Sequence, residues 1–123
     1  MAVTMTEREL TVNGVERRRS QRIPFSLVVY VMSLQPSLSF IERCELVEVS
    51  SHGCQILAPR PLPRLTRIRL DRLTRVAITV AQVMRSTPVE STAVKTWRVG
   101  LELETPGNIW GIAQPPRDWV TTP

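Results

Sequence analysis

Cysteine, histidine and aspartate are scarce in this chain of 123 residues, and their scarcity excludes several kinds of site. The two cysteines, Cys44 and Cys54, are too few for the disulfide framework of a small secreted scaffold. We therefore expect both to be reduced, half-buried side chains. A metal site would have to recruit His52, the only histidine, and would still lack a fourth ligand, so we expect no metal.

Long apolar runs are also absent. The longest one, residues 27–32, has six residues, whereas a membrane-spanning helix needs about 20. The first ten residues carry Glu7, Arg8 and Glu9 where a signal peptide would need an apolar stretch. These features predict a protein that is not exported and does not insert into a membrane.

The residues that catalysis requires are poorly supplied. Ser50, Ser51 and His52 are neighbours in sequence, whereas a serine nucleophile and its base normally meet through the fold. The five glycines are scattered and form no glycine-rich phosphate loop. We expect a protein that is not an enzyme and uses no cofactor.

Positive charge is plentiful, and almost all of it is arginine. Of 16 basic residues only Lys95 is a lysine, and the 11 acidic residues leave a net charge of +5. Arginine offers a planar fork for phosphate groups and guanine edges that lysine does not reproduce. A GC-rich genome would also encode such an excess, so the positions of the arginines must decide between the two interpretations.

The residue pattern predicts an all-β fold. Short β-prone segments alternate with turn signals, and none carries a helical apolar stripe. This favours a small six-stranded antiparallel barrel. We expect a flexible arm over residues 1–14, a single domain over residues 15–123 and, within it, an irregular tail rich in Trp and Pro from residue 105. The expected strands are residues 25–32, 41–49, 54–57, 67–71, 76–84 and 99–104.

Two short patterns flank the first expected strand pair. Residues 16–22 read E-R-R-R-S-Q-R, and the following Ile23-Pro24 requires extended geometry. Residues 48–53 read E-V-S-S-H-G and contain the only Ser-x-x-Gly of the chain. Each pattern alone is weak, because a chain this rich in arginine contains R-x-x-x-R by chance. Their order and spacing carry the signal.

Together the two patterns resemble the signatures of PilZ domains, which are R-x-x-x-R just before the first strand and [D/N]-x-S-x-x-G one strand pair later. Residues 99–103, V-G-L-E-L, resemble the late strand of the same family, so the resemblance covers about residues 15–105. Members of this family are six-stranded barrels, and many are bacterial receptors for the messenger cyclic di-GMP. The resemblance therefore implies a bacterial, cytoplasmic signalling module with that ligand.

The resemblance also implies which residues bind the ligand. Arg18 and Arg22 are the motif arginines, and Arg17 is a plausible auxiliary. A guanidinium can hold a phosphate as a fork or bind the O6/N7 edge of guanine. In the leading hypothesis the ligand draws the loop of residues 17–22 onto the barrel, which would change what the arm contacts, including a partner protein or a second copy of the domain.

The resemblance further implies that the turn of the second signature completes the site. The matching residues are Glu48, Ser50 and Gly53. Glu48 would accept hydrogen bonds from the guanine N–H groups, with Ser50 in support. Gly53 is expected at positive φ or against the ligand. Glu48 departs from the Asp or Asn of the family pattern, which leaves open whether the site still binds the nucleotide.

Two other functions stay open. A degenerate PilZ-like adaptor would bind a protein partner without nucleotide, and Glu48 favours this alternative. A basic barrel that binds RNA or DNA would need exposed aromatic platforms, and aromatic residues are only 5% of the chain, so we expect no nucleic-acid partner. Trp97, Trp110 and Trp119 are expected to pack, although one of them could stack on a guanine.

Overall fold

The computed structural model describes residues 20–71, 79–91 and 93–119, and these residues form an antiparallel barrel. It closes in the strand order β1-β2-β3-β6-β5-β4, which confirms the predicted fold class. Among the described residues the helical structure is a single 3-10 turn, Arg117–Trp119, and no helix there could cross a membrane. The strands are β1 Ile23–Ser33, β2 Ile41–Val49, β3 Gly53–Ala58, β4 Arg67–Asp71, β5 Thr79–Pro88 and β6 Trp97–Leu103.

The barrel interior is filled by the apolar side chains that alternate along each strand. In β3, for example, Cys54, Ile56 and Ala58 are buried while the residues between them are only half-buried. A strand presents successive side chains to opposite faces, so this alternation separates an inside from an outside. Closure gives each of the six strands a hydrogen-bonded neighbour on both sides, which limits the exposed strand edge that could promote aggregation.

The bounds of β5 differ from the prediction. The strand was expected over residues 76–84, but it continues to Pro88, and residues 76–78 lie outside the described residues. The extra length comes from pairing with β6, where Arg85 lies opposite Gly100 and Pro88 opposite Trp97. Proline is tolerated near the end of a strand, and the pairing continues past it, since the N–H of Val89 donates to the carbonyl of Thr96 at 2.9 Å.

Both cysteines are core side chains, buried more deeply than predicted. Cys44 is 4% exposed and Cys54 is 7% exposed, and neither forms a disulfide. Burial, with a smaller contribution from Glu42, raises the pKa of the Cys44 thiol to about 12. Burial alone raises the pKa of the Cys54 thiol far above its usual range. Both groups are protonated at neutral pH and are therefore poor nucleophiles.

The C-terminal tail is anchored to the barrel by two tryptophans. Trp110 and Trp119 are each 3% exposed and belong to the same apolar cluster as the strands. The indole N–H of Trp110 donates to the carbonyl of Ser50 at 2.7 Å, and the N–H of Gly107 donates to the carbonyl of Ser51 at 2.8 Å. The tail thus covers the β2–β3 turn and satisfies its carbonyls.

Candidate functional site

An open cavity of about 470 Å³ lies on the barrel surface beside the β2–β3 turn. This volume is within the range of about 300–1,000 Å³ that is typical of small-molecule sites. Its walls are formed by the segment just before β1, by the end of β2 and the turn that follows it, and by parts of β3, β5 and β6. Four of the residues predicted from the sequence line it together, namely Arg22, Glu48, Ser50 and Gly53.

Pairing between β1 and β2 brings Arg22 to Glu48. Pro24 lies opposite Glu48 in the ladder. Arg22 immediately precedes β1 and therefore lies beside the end of β2. Its Nη1 is 3.5 Å from Oε1 of Glu48, and the two side chains are 34% and 28% exposed. A partly exposed ion pair of this kind contributes at most about 1 kcal/mol to stability. An anionic ligand can therefore displace Glu48 from Arg22 at small cost.

The side chain of Ser50 shapes the turn. Its Oγ accepts the N–H of His52 at 3.3 Å and the N–H of Gly53 at 3.1 Å. The N–H of Ser50 in turn donates to the carbonyl of Gly53 at 2.9 Å. These bonds hold the two ends of the turn together, so Ser50 supports the wall of the cavity.

Gly53 is required by the packing of two strands. It does not have a positive φ, so that part of the expectation is wrong. A Cβ added at this position would collide with the backbone carbonyl of Leu101 on the neighbouring β6. Gly53 begins β3 opposite Glu102, and only a residue without a side chain allows this approach.

The basic segment joins the site at its C-terminal end. Arg17 and Arg18 lie outside the described residues. Ser20 is 4% exposed, and its Oγ lies 3.1 Å from Nδ1 of His52. The same ring nitrogen is 3.2 Å from the Oγ of Ser51. The histidine therefore ties the end of the first motif to the turn of the second.

The C-terminal tail holds the next residue, Gln21, by both of its backbone groups. The N–H of Gln21 donates to Oδ2 of Asp118 at 2.8 Å, and the indole N–H of Trp119 donates to the carbonyl of Gln21 at 2.6 Å. Residues 20–22 consequently lie on the barrel without any ligand. A movement of residues 17–22 on ligand binding stays a prediction, and residues 17–19 lie outside the described part of the chain.

Several residues of the cavity were not predicted from the sequence. His52 was considered only as a metal ligand or a base, and Arg85 lies one residue beyond the expected end of its strand. Nothing in the local sequence around Gln55 or Gly100 marks either as part of a site. The four residues line the cavity together with the predicted ones. None of the three tryptophans lines it, and within the described ranges no three His, Cys, Asp or Glu side chains cluster as metal ligands.

The comparison with known families gives a match that covers most of the chain. Residues 16–109 match the model of the PilZ domain. The chain belongs to the PilZ family. This confirms the resemblance drawn from the two motifs and the late strand, and PilZ domains are known as modules that bind cyclic di-GMP. No curated protein and no solved structure matches the chain.

Gly53→Ala should destabilise this PilZ domain severely, because even a single methyl group collides with the Leu101 carbonyl. We expect a loss of at least about 2 kcal/mol in the free energy of unfolding, measured by urea denaturation. Gly100→Ala is the matched control, since an added Cβ there has its nearest contact at an ordinary 4.0 Å. Equal stability of the two variants would contradict the steric role of Gly53.

Asp118→Ala should free the backbone N–H of Gln21. The amide loses its carboxylate acceptor, so hydrogen exchange followed by NMR should show Gln21 exchanging at least about tenfold faster, while amides of the barrel core keep their rates. Asp71→Ala removes the only other aspartate of the chain, which binds Arg69 instead, and should leave Gln21 unchanged. An unchanged Gln21 rate in Asp118→Ala would show that the tail does not hold the motif in solution.

Proposed function

We propose that this PilZ domain binds cyclic di-GMP in the cavity beside the β2–β3 turn and acts as a non-catalytic signalling module. The observation that carries the proposal is the convergence of Arg22 with Glu48, Ser50 and Gly53 on one cavity, within a chain of this family. The bacterial and cytoplasmic setting stays a prediction from the family.

The chemistry of these groups suits the ligand. Cyclic di-GMP carries two phosphate charges and two guanine bases. Arg22 can bind a phosphate or the O6/N7 edge of guanine, and Glu48 can accept from the N–H donors on the opposite edge. Arg17 and Arg18 are proposed to add further charge. Each charge-assisted hydrogen bond contributes about 1.5–3 kcal/mol, and a micromolar complex needs about 8 kcal/mol, so about three to six such bonds supply it.

A protein adaptor that needs no nucleotide is the second candidate. Glu48 replaces the Asp or Asn of the family pattern, and its ion pair with Arg22 satisfies both charges without a ligand. The same surface would then contact a protein partner. Addition of nucleotide separates the two candidates, because an adaptor gains no hydrogen-exchange protection around residues 17–22 when cyclic di-GMP is added, whereas a receptor does.

Isothermal titration with cyclic di-GMP tests the proposal directly. We expect the native protein to bind in the micromolar range and Arg22→Ala to bind at least about tenfold more weakly, with an unchanged circular dichroism spectrum. Arg43→Ala is the control, since it removes the same charge from an exposed position on β2 outside the cavity. If the native protein releases no heat at tens of micromolar ligand, the proposal of a cyclic di-GMP receptor is rejected and the protein adaptor remains.

Glu48→Asp should increase the affinity for cyclic di-GMP about fivefold. Asp keeps the carboxylate acceptor but is shorter by one methylene, so it competes less for Arg22 and leaves more room for guanine. Glu48→Ala should bind more weakly than either acid, because the guanine donors then lose their partner. The same titration measures all three proteins, and identical affinities would mean that Glu48 does not contact the ligand.

A further inference from the structure

A row of aligned residues crosses the barrel wall along the cavity. In the ladder Glu48 lies opposite Gln55, Gln55 opposite Gly100, and Gly100 opposite Arg85. All four line the cavity. Neighbouring strands are about 4.8 Å apart, so the row extends roughly 14 Å from β2 to β5. The end of the row at Arg85 lies away from both sequence motifs.

Gly100 leaves a bare patch of backbone in this row. A Cβ added there would have Cγ of Arg85, at 4.0 Å, as its nearest contact, so packing does not require the glycine, in contrast to Gly53. Glycine within a strand weakens it and often marks a bulge or the close approach of a ligand or of another backbone. On the other side of the patch Gln55 is held in place, since Nε of Arg98 donates to its Oε1. The result is a flat shelf between Gln55 and Arg85.

Arg85 supplies an uncompensated charge at the edge of this shelf. Arg22 shares its charge with Glu48, whereas no carboxylate in the described part of the chain forms an ion pair with Arg85. The ladder shifts register between Val83 and Arg85, and such an irregularity re-aims the side chain that follows it. Arg85 thereby lines the cavity while remaining exposed to solvent.

We propose that one guanine of the ligand lies flat on the Gly100 backbone, with its O6 and N7 atoms bound by the guanidinium fork of Arg85. The inference rests on the proposed function and adds a base-reading subsite to it. Guanine presents two acceptors along this edge, whereas adenine presents a donor amino group in place of O6. A fork that only donates therefore selects guanine over adenine.

Titration with cyclic di-GMP and with cyclic di-AMP, the latter taken to millimolar concentration, tests the subsite. We expect Arg85→Ala to weaken cyclic di-GMP binding by about tenfold or more while leaving the weak binding of cyclic di-AMP unchanged. Arg85→Lys should behave like Arg85→Ala, because it keeps the charge but loses the fork. Arg43→Ala, with the same loss of charge outside the cavity, should bind both dinucleotides as the native protein does.

Gly100→Val tests the shelf independently. Valine favours strands, and its Cβ would have the flexible side chain of Arg85, at 4.0 Å, as its nearest contact, so thermal unfolding should occur at the native temperature or above it. Its side chain would occupy the place of the base, so cyclic di-GMP should bind at least about tenfold more weakly. If the variant is as stable as the native protein, misfolding cannot explain its weak binding.

Each other result overturns a specific part of the inference. An equal loss for both dinucleotides in Arg85→Ala would place Arg85 on a phosphate and overturn base reading. Native affinity in both Arg85→Ala and Gly100→Val, with Arg22→Ala still weakened, would remove the subsite but keep the proposed function. No binding of cyclic di-GMP by the native protein would overturn the proposed function and the subsite together.

Discussion

The register between β1 and β2 is the constraint on which the rest of the site depends. Val29, Val31 and Leu46 are fully buried inside the barrel, and a slip of one residue would turn such side chains to solvent. Burial of these side chains therefore determines the pairing. A register shift between Pro24 and Leu27 then places Pro24 opposite Glu48, and this brings Arg22 into contact with Glu48. The geometry at this end of the cavity thus follows from how the core packs and from the irregularity beside it.

The tail stabilises both motifs from one side. Trp110 binds the carbonyl of Ser50 in the second motif, and Trp119 binds the carbonyl of Gln21 in the first. The tail thus gives each of these backbone carbonyls a hydrogen-bond partner. Both tryptophans lie beyond residue 109, where the match to the PilZ domain ends. In this chain a segment outside the family signatures determines how the arginine motif meets the barrel.

Two glycines on the wall of the cavity have opposite explanations. Gly53 is needed because β3 approaches the Leu101 carbonyl so closely that no side chain fits. Gly100 has room for a Cβ and lies opposite the register shift between Val83 and Arg85, so steric contact does not require a glycine there. The residue type alone does not show this difference, which depends on what each position faces.

The sequence by itself determined the six strands, their closure into a barrel and the family. Alternation of apolar residues reports which face of a strand is buried, and the bounds predicted for β2 and β4 are those observed. The sequence also predicted that Arg22 and Glu48 lie in one site, because their motifs flank two consecutive strands that pair as a hairpin. Local patterns are sufficient for this prediction, since two strands that follow each other in the chain pair with each other in the sheet.

Only the tertiary structure decided which distant residues complete the site. Arg85 and Gly100 reach the cavity because closure of the barrel sets β5 and β6 beside β3. Asp118 contacts Gln21 across 97 positions of the chain. Periodicity shows that a side chain points outward, but it does not show what lies next to it. That depends on how all six strands and the tail pack at once, and no local pattern contains it.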